Sequence, residues 1–159
     1  MNKLAWCTEI RNGIALIEPS PNLSRAYLKK AENAMEELSL VTSPDWQSTI
    51  AYYSLYFSLY SVLMRIGIRS ENHTCTLEIM RTLLPAYFTR DEIDSLERAR
   101  RNRIDCQYYA DPVNDGKPDS GIRILVPRFY VHCRRICEEL DEKTITSLRE
   151  NLQNLLDST

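Results

Sequence analysis

The chain has 159 residues, of which 43% are hydrophobic and 26% charged, a balance typical of one soluble globular domain. This balance excludes disordered, collagen-like and low-complexity chains. The chain also lacks a run of about 18 apolar residues, which would predict a membrane span. The low glycine content, 4 residues, argues against a hairpin-rich sheet protein. Because the net charge is only −2, any polyanion must bind to a local basic patch. We expect one domain over residues 1–159, with its core at about residues 20–140.

The first two predicted helices lie on either side of a proline pair. Apolar side chains recur at helical spacing before Pro19, at Trp6, Ile10, Ile14 and Ile17. They predict a terminal helix over residues 3–17. After Pro21, one apolar face predicts a second helix, and its members are Leu23, Tyr27, Ala31, Ala34, Met35 and Leu38.

The third predicted helix is the longest and differs from its neighbours in having apolar residues all around its axis. Ser43 and Pro44 form a cap and first turn, no breaker occurs over residues 45–66, and Gly67 supplies a stop. Such a helix must be buried on nearly every side. It therefore either occupies the centre of the fold or has one surface covered by a second copy of the chain, which favours a homodimer.

Four further segments complete an all-α fold, which we expect to be an antiparallel up-and-down bundle with short extra helices at its termini. A fourth helix ends before Pro85, and the capping box of Thr89 and Glu92 starts a fifth that runs to about Tyr109. A proline- and glycine-rich loop follows over residues 111–121. Pro127 either opens or kinks the sixth helix, whose stripe consists of Phe129, Cys133, Ile136, Cys137 and Leu140. The last helix covers residues 144–156.

The 5 cysteines predict reduced thiols in a cytoplasmic protein, because their number is odd and no CxxC motif occurs. Glu9 and Arg11 also interrupt any apolar segment of a signal peptide. Cys133 and Cys137 lie beside His132, but they share the buried stripe of the sixth helix and a fourth ligand is missing. We therefore predict core thiols, no metal and no cofactor.

Arginines are concentrated on the fifth predicted helix, where four of them fall within residues 98–103. Arg101, Asp105 and Tyr108 follow at i, i+4 and i+7, so a cation, a carboxylate and a phenol share one stripe. The adjacent core face is predicted to contain Ile93, Leu96, Arg100 and Ile104. One interpretation is a solvated face stabilised by an Arg101–Asp105 pair. The other is a surface that binds phosphates and stacks bases on its aromatic rings.

The order of several motifs resembles the HEPN superfamily, small all-helical proteins encoded beside minimal nucleotidyltransferases. The resemblance rests on Ala51-Tyr52-Tyr53, the Gly67 stop, His73 and the segment from Arg101-Asn102 to Tyr108, and it spans roughly residues 20–140. It implies a homodimer whose arginine-lined cleft binds RNA or nucleotide phosphates. It also implies a minimal nucleotidyltransferase as partner. No membrane association is expected, because no apolar run is long enough to span a membrane.

The chain departs from the family pattern Arg-Asn-x-x-x-His-x-Tyr at its central position. Arg101, Asn102 and Tyr108 match, but Cys106 stands where the histidine belongs. Metal-independent RNA cleavage needs a group that titrates near neutral pH, and the usual pKa of a cysteine, about 8.5, is too high. Ribonuclease activity is therefore left open. The chain resembles the family subset that lacks this histidine.

The resemblance suggests candidate roles for residues of this segment, Cys106 included although it departs from the family pattern. The candidate catalytic residues are Arg101, Asn102, Cys106 and Tyr108, and the candidate phosphate-binding residues are Arg98, Arg101 and Arg103. Asp105 would orient an arginine. Tyr108 matches the position that accepts AMP from the paired transferase in some family members.

These roles predict the HEPN half of a toxin–antitoxin-like pair. Two alternatives remain at this point. One is a non-catalytic helical adaptor that docks the transferase, and the other is an unrelated bundle whose tyrosine-rich helix serves only for self-association.

Overall fold

Helices dominate the computed structural model, which describes residues 3–108 and 121–158. These residues form seven helices and one two-stranded sheet. In chain order the elements are α1 (Lys3–Glu9), β1 (Ile14–Leu16), α2 (Pro21–Leu40), α3 (Pro44–Ile66), β2 (Ile68–Ser70), α4 (His73–Thr82), α5 (Arg90–Tyr108), α6 (Ile122–Glu139) and α7 (Glu142–Asp157). The expected all-α class is thus confirmed in outline, with a short sheet added. The HEPN-like up-and-down arrangement stays a prediction.

The N-terminal helix is shorter than its apolar spacing predicts. The helix ends at Glu9, and Asn12 then adopts a left-handed backbone conformation with φ 63°. Gly13 follows, where a Cβ atom would collide with the carbonyl oxygen of Cys7. The chain continues as β1, which pairs antiparallel with β2. The prediction of a helix over residues 3–17 is therefore wrong beyond residue 9, because the reversal at Asn12 and the pairing with β2 override the helical spacing.

Helix α3 begins and ends where the sequence predicts. Ser43 occupies the N-cap position without a side-chain cap, and Gly67 ends the helix in the left-handed region at φ 85°. The amide of Gly67 donates to the carbonyl oxygen of Leu63, 2.9 Å away. Glycine suits this position because it adopts positive φ without steric cost.

The burial of α3 is explained by its central position within this chain. It packs against α2, α5, α6 and α7, and the side chains of Tyr52, Leu59 and Leu63 are fully buried. Small residues let neighbouring helices approach closely: the Ser54 hydroxyl donates to the Ala31 carbonyl of α2 at 3.1 Å. The sequence left two explanations for this apolar helix, a central position in the fold or coverage by a second copy of the chain. The first is sufficient, because helices of the same chain cover α3. A homodimer is not required to account for it.

The fifth helix begins at its predicted cap, whereas α7 begins at Glu142, two residues before the predicted start at 144, because Asp141 caps it. The amide of Thr89 donates to Glu92 Oε2 at 2.8 Å, and the amide of Glu92 donates to Thr89 Oγ1 at 3.2 Å. The capping box before α5 is thus confirmed. Pro127 does not open α6 but lies inside it. Of the predicted loop over residues 111–121, only Gly121 lies within the described residues, and Tyr109, the predicted end of the fifth helix, lies outside them.

One disulfide corrects the expectation that all cysteines are reduced thiols. Cys7 of α1 is bonded to Cys75 of α4, and both side chains are fully buried. The two residues are 68 positions apart, so their contact depends on how α1 packs. Cys106, Cys133 and Cys137 are not disulfide-bonded. Cys133 and Cys137 lie in the core, as the stripe of α6 predicts.

None of the helices described is both long enough and apolar enough to cross a membrane.

Candidate functional site

The arginines of α5 point in different directions around the helix. Arg103 is half-buried against α3 and α4, whereas Arg101 and Arg98 are exposed. Arg100 lies next to Arg103 on the inner side and is also half-buried. The cluster that looks uniform in sequence therefore divides into an inner pair and an outer pair.

The inner arginine Arg103 lies over two tyrosine rings of α3. Its guanidinium carbon is 5.1 Å from the ring centre of Tyr52 and 5.5 Å from that of Tyr53. Its Nη1 donates to the Tyr53 hydroxyl at 3.1 Å. Cation–π contact and hydrogen bonding together fix this guanidinium and the middle of α5 against α3.

His73, the first residue of α4, completes this inner cluster. Its Nδ1 lies 2.6 Å from the Tyr52 hydroxyl, and its ring stacks on Tyr56 with ring centres 4.2 Å apart. Burial raises the pKa of Tyr52 far above its usual value, so the phenol stays protonated. The hydroxyl therefore donates to Nδ1, and the neutral ring carries its proton on Nε2. We call Tyr52, Tyr53, His73, Arg100 and Arg103 the inner cluster.

The inner cluster keeps His73 neutral. Burial lowers the pKa of His73 to about 4, and the positive charges of Arg103 and Arg100 contribute to the same shift. A histidine with this pKa stays neutral near pH 7 and is a weak general base. His73 therefore does not supply the group that titrates near neutral pH, which Cys106 also does not supply.

Glu97 is the carboxylate that holds two arginines of α5. Its Oε1 accepts from Arg100 Nη2 at 3.0 Å and from Arg101 Nε at 3.3 Å. Although burial opposes ionisation, these hydrogen bonds and charges hold the pKa of Glu97 below its usual value. Arg101 thus forms its ion pair within α5 with Glu97, one turn earlier. The first interpretation of the sequence predicts a pair with Asp105 instead.

The stripe predicted from i, i+4 and i+7 spacing faces solvent. Arg101, Asp105 and Tyr108 are all exposed, and Tyr108 exposes 75% of its surface. Arg98 and the half-buried Asn102 lie next to this stripe on the helix. These five residues form the outer face of α5, and their guanidinium groups and phenol are accessible to a ligand.

Arg98 and Asn102 also border a small cavity where α5 meets the start of α6. The cavity has a volume of about 110 Å³ and is lined by Ser95, Arg98, Ala99, Asn102, Gly121, Ile122 and Leu125. Arg98 Nη2 donates to the Ser95 hydroxyl at 2.9 Å. This hydrogen bond orients the guanidinium along the edge of the outer face.

Cys106 lies on a different side of α5 and is half-buried near the first turn of α3. Burial raises the pKa of its thiol, and the hydrogen bond with Ser48 offsets part of that rise. The thiol is therefore protonated at pH 7 and is no base for the 2′-hydroxyl of RNA. The structure thus separates Cys106 from Arg101 both in direction and in chemistry.

Sequence reasoning did not assign a site role to Arg100 or to His73. One signal was available, because Ile93, Leu96, Arg100 and Arg103 follow the 3-4-3 spacing of a helix seam. That spacing turns Arg103 toward the core side rather than toward the outer face. The identity of its partners on α3 and α4 was not readable from α5 alone.

In residues 3–108 and 121–158, no group of three or more His, Cys, Asp or Glu side chains is placed to hold a metal ion. Comparison of the chain with protein-family models, with curated proteins and with solved structures gives no match. The outer face of α5 and the inner cluster beneath it therefore define the candidate site from the structure alone.

Proposed function

We propose that this chain binds RNA or nucleotide phosphates through the outer face of α5, as the HEPN-like half of a pair with a minimal nucleotidyltransferase. The observation that carries the proposal is the exposure of Arg98, Arg101 and Tyr108 along one side of a helix. Guanidinium groups bind phosphate oxygens in bidentate geometry, and an exposed phenol ring stacks on a base.

The inner cluster supports the proposal by fixing the helix that presents the outer face. Arg103 lies over the rings of Tyr52 and Tyr53 and donates to the Tyr53 hydroxyl, so α5 does not have to be ordered when a ligand binds. A rigid element positions its donors at a lower entropic cost than a flexible loop. The family resemblance contributes the further elements of the proposal, a homodimeric cleft and AMP transfer to Tyr108.

The chemistry of the site favours binding over cleavage. Cys106 has a raised pKa and His73 has a pKa of about 4, so neither titrates near pH 7. This observation also favours the second candidate function, a non-catalytic adaptor whose outer face docks an acidic surface of the transferase. Both functions use Arg98 and Arg101, but they differ in whether RNA binds to the isolated chain.

Fluorescence anisotropy with a labelled single-stranded RNA tests the proposal. We expect Arg98→Ala/Arg101→Ala to weaken binding about tenfold and to flatten its salt dependence, by about 0.7 in logarithmic slope for each phosphate that the variant no longer neutralises. The matched control is Arg11→Ala/Arg69→Ala, which removes two exposed arginines elsewhere on the chain. Equal binding by both double variants would contradict a phosphate-binding outer face.

Two further measurements separate the alternatives. If the isolated chain binds no RNA but binds the transferase, and Arg98→Ala/Arg101→Ala abolishes that complex, the adaptor function is correct.

AMP transfer is tested with the cognate transferase, ATP and the Tyr108→Phe variant. Incorporation of AMP into this variant at the wild-type level would remove Tyr108 as the acceptor. Phosphate on Tyr108 is expected to weaken RNA binding, since it adds negative charge beside the arginines.

A further inference from the structure

The outward side of α6 combines exposed aliphatic residues with arginines that pair with no carboxylate of the described residues. Ile124 exposes 63% of its surface and Val131 53%, and Pro127 is also exposed between them. Arg128 and Arg135 lie on the same side of the helix. We call these five residues the α6 face. It lies opposite the stripe of Val126, Phe129 and Cys133 that packs into the core.

A groove of about 610 Å³ runs between the α6 face and the start of α5. Its lining includes Glu92 and His132 in addition to Pro127, Arg128, Val131 and Arg135. It is larger than the cavity of about 110 Å³ that Arg98 and Asn102 border. The groove therefore offers both aliphatic surface and two guanidinium groups to a ligand.

The one carboxylate among the described residues that line this groove is already fully engaged. Glu92 Oε2 accepts from the amide and the hydroxyl of Thr89 at 2.8 and 3.1 Å. Glu92 Oε1 lies 2.8 Å from His132 Nδ1. Within residues 3–108 and 121–158, no carboxylate pairs with Arg128 or Arg135, while the nearby Arg134 pairs with Glu138 at 3.6 Å. Among the described residues, the guanidinium groups of Arg128 and Arg135 thus have no carboxylate partner and are open to an external one.

The spacing of the two arginines defines the partner. Arg128 and Arg135 are seven residues apart, which places them about 10 Å apart along α6 and on the same side. Acidic residues at i and i+7 of a second helix have the same separation. We propose that the α6 face docks an amphipathic helix of a partner protein that carries an aliphatic stripe and two acidic residues two turns apart.

Other occupants fit the α6 face less well. Nucleic-acid bases stack on aromatic side chains, whereas Ile124, Pro127 and Val131 are aliphatic. A second copy of this chain docked by the same face would place its arginines against each other around the twofold axis. An acidic helix satisfies both the aliphatic and the charged part of the surface. This inference is independent of the function proposed for α5.

Selection from a displayed peptide library tests the inference with the full chain as bait. The library consists of helical peptides with a fixed leucine stripe, whose remaining positions vary among Glu, Gln and Lys. We expect the enriched peptides to carry Glu at two positions seven apart. We expect their affinity to fall at least tenfold for Arg128→Glu/Arg135→Glu and for Ile124→Ser/Val131→Ser.

The matched control for charge is Arg11→Glu/Arg69→Glu, which should bind the enriched peptides like the wild type. Circular dichroism melts check that each variant folds, and a charge-reversed variant that does not fold is replaced by Arg128→Gln/Arg135→Gln. The inference is overturned if no acidic pattern is enriched, or if the charge-reversed chain selects the same peptides. It is equally overturned if these substitutions abolish RNA binding or self-association while leaving peptide binding intact.

Discussion

The hydroxyl of Tyr52 lies 2.6 Å from Nδ1 of His73 and joins the middle of the central helix to the first residue of α4. The guanidinium group of Arg103 covers the same tyrosine ring from α5. Helices α3, α4 and α5 therefore meet at this hydrogen bond between two neutral side chains, next to the positive charge of Arg103. This arrangement links the stability of the fold to the protonation of a single imidazole.

Acidification is expected to destabilise the protein through His73. Its pKa is about 4 in the folded chain, compared with an ordinary value of 6.5. As the pH falls from 6.5 toward 4, the unfolded chain binds a proton at this residue before the folded chain does, so stability decreases. Urea unfolding at pH 7.0, 5.5 and 4.5 should show a steeper loss for the wild type than for His73→Gln, whose amide still accepts from Tyr52. Identical pH dependence in the two proteins would contradict this role.

The cause of this low pKa is tested by NMR titration of the His73 ring. Since the positive charge of Arg103 lowers the pKa of His73, the Arg103→Gln variant should show a higher value than the wild type. Arg101→Gln, on the outer face, should leave it nearly unchanged. A wild-type midpoint near pH 6.5 would contradict the burial of this imidazole.

Substitution of Arg103 is expected to reduce stability more than substitution of Arg101. Arg103→Ala removes a cation–π contact and the hydrogen bond to the Tyr53 hydroxyl, at a cost of about 1 to 3 kcal/mol. Arg101→Ala removes an exposed helix pair with Glu97, which contributes about 0.5 kcal/mol or less. Urea unfolding of both variants measures the difference. Equal destabilisation would show that α5 is not anchored by Arg103.

The Cys7–Cys75 disulfide is expected to contribute strongly to stability. It closes a loop between residues 68 positions apart, so chain-entropy arguments give a contribution of about 4 kcal/mol. The Cys7→Ser/Cys75→Ser variant should therefore unfold at a much lower urea concentration. Alkylation in denaturant followed by mass spectrometry should label three thiols without reductant and all five with it. Labelling of five thiols without reductant would show that the bond is not formed.

Arg149 of α7 holds together two chain segments that lie far from it in sequence. Its Nη1 donates to the carbonyl oxygens of Ile17 at 2.6 Å, Gly67 at 2.9 Å and Ile66 at 3.1 Å. Arg149→Met leaves these carbonyls without the charged donor, and we expect urea unfolding to show a destabilisation of about 2 to 4 kcal/mol. Arg134→Met is the matched control, since the ion pair of Arg134 is with an exposed glutamate of its own helix. A control as unstable as Arg149→Met would contradict this role.

Local residue chemistry determined the start of α5 and the end of α3. The capping box of Thr89 and Glu92 and the glycine at position 67 act through neighbouring backbone groups, so their effect could be predicted without knowing the tertiary structure. The exposed stripe of Arg101, Asp105 and Tyr108 could be predicted for the same reason, because side-chain direction on a helix follows from its period.

The tertiary structure decided the features that depend on distant partners. Residues 14–16 form a strand only because β2 lies beside them, and the cysteine pair forms only because α1 packs on α4. In the site, the helix period turns Arg103 inward, but its contacts with Tyr52 and Tyr53, about 50 residues earlier in the chain, could not be predicted from α5. The sequence by itself thus determined where the helices and their arginines are. Packing decided which partners the inward-facing arginines have, since burying a guanidinium requires aromatic and hydrogen-bonding groups that only another helix can supply.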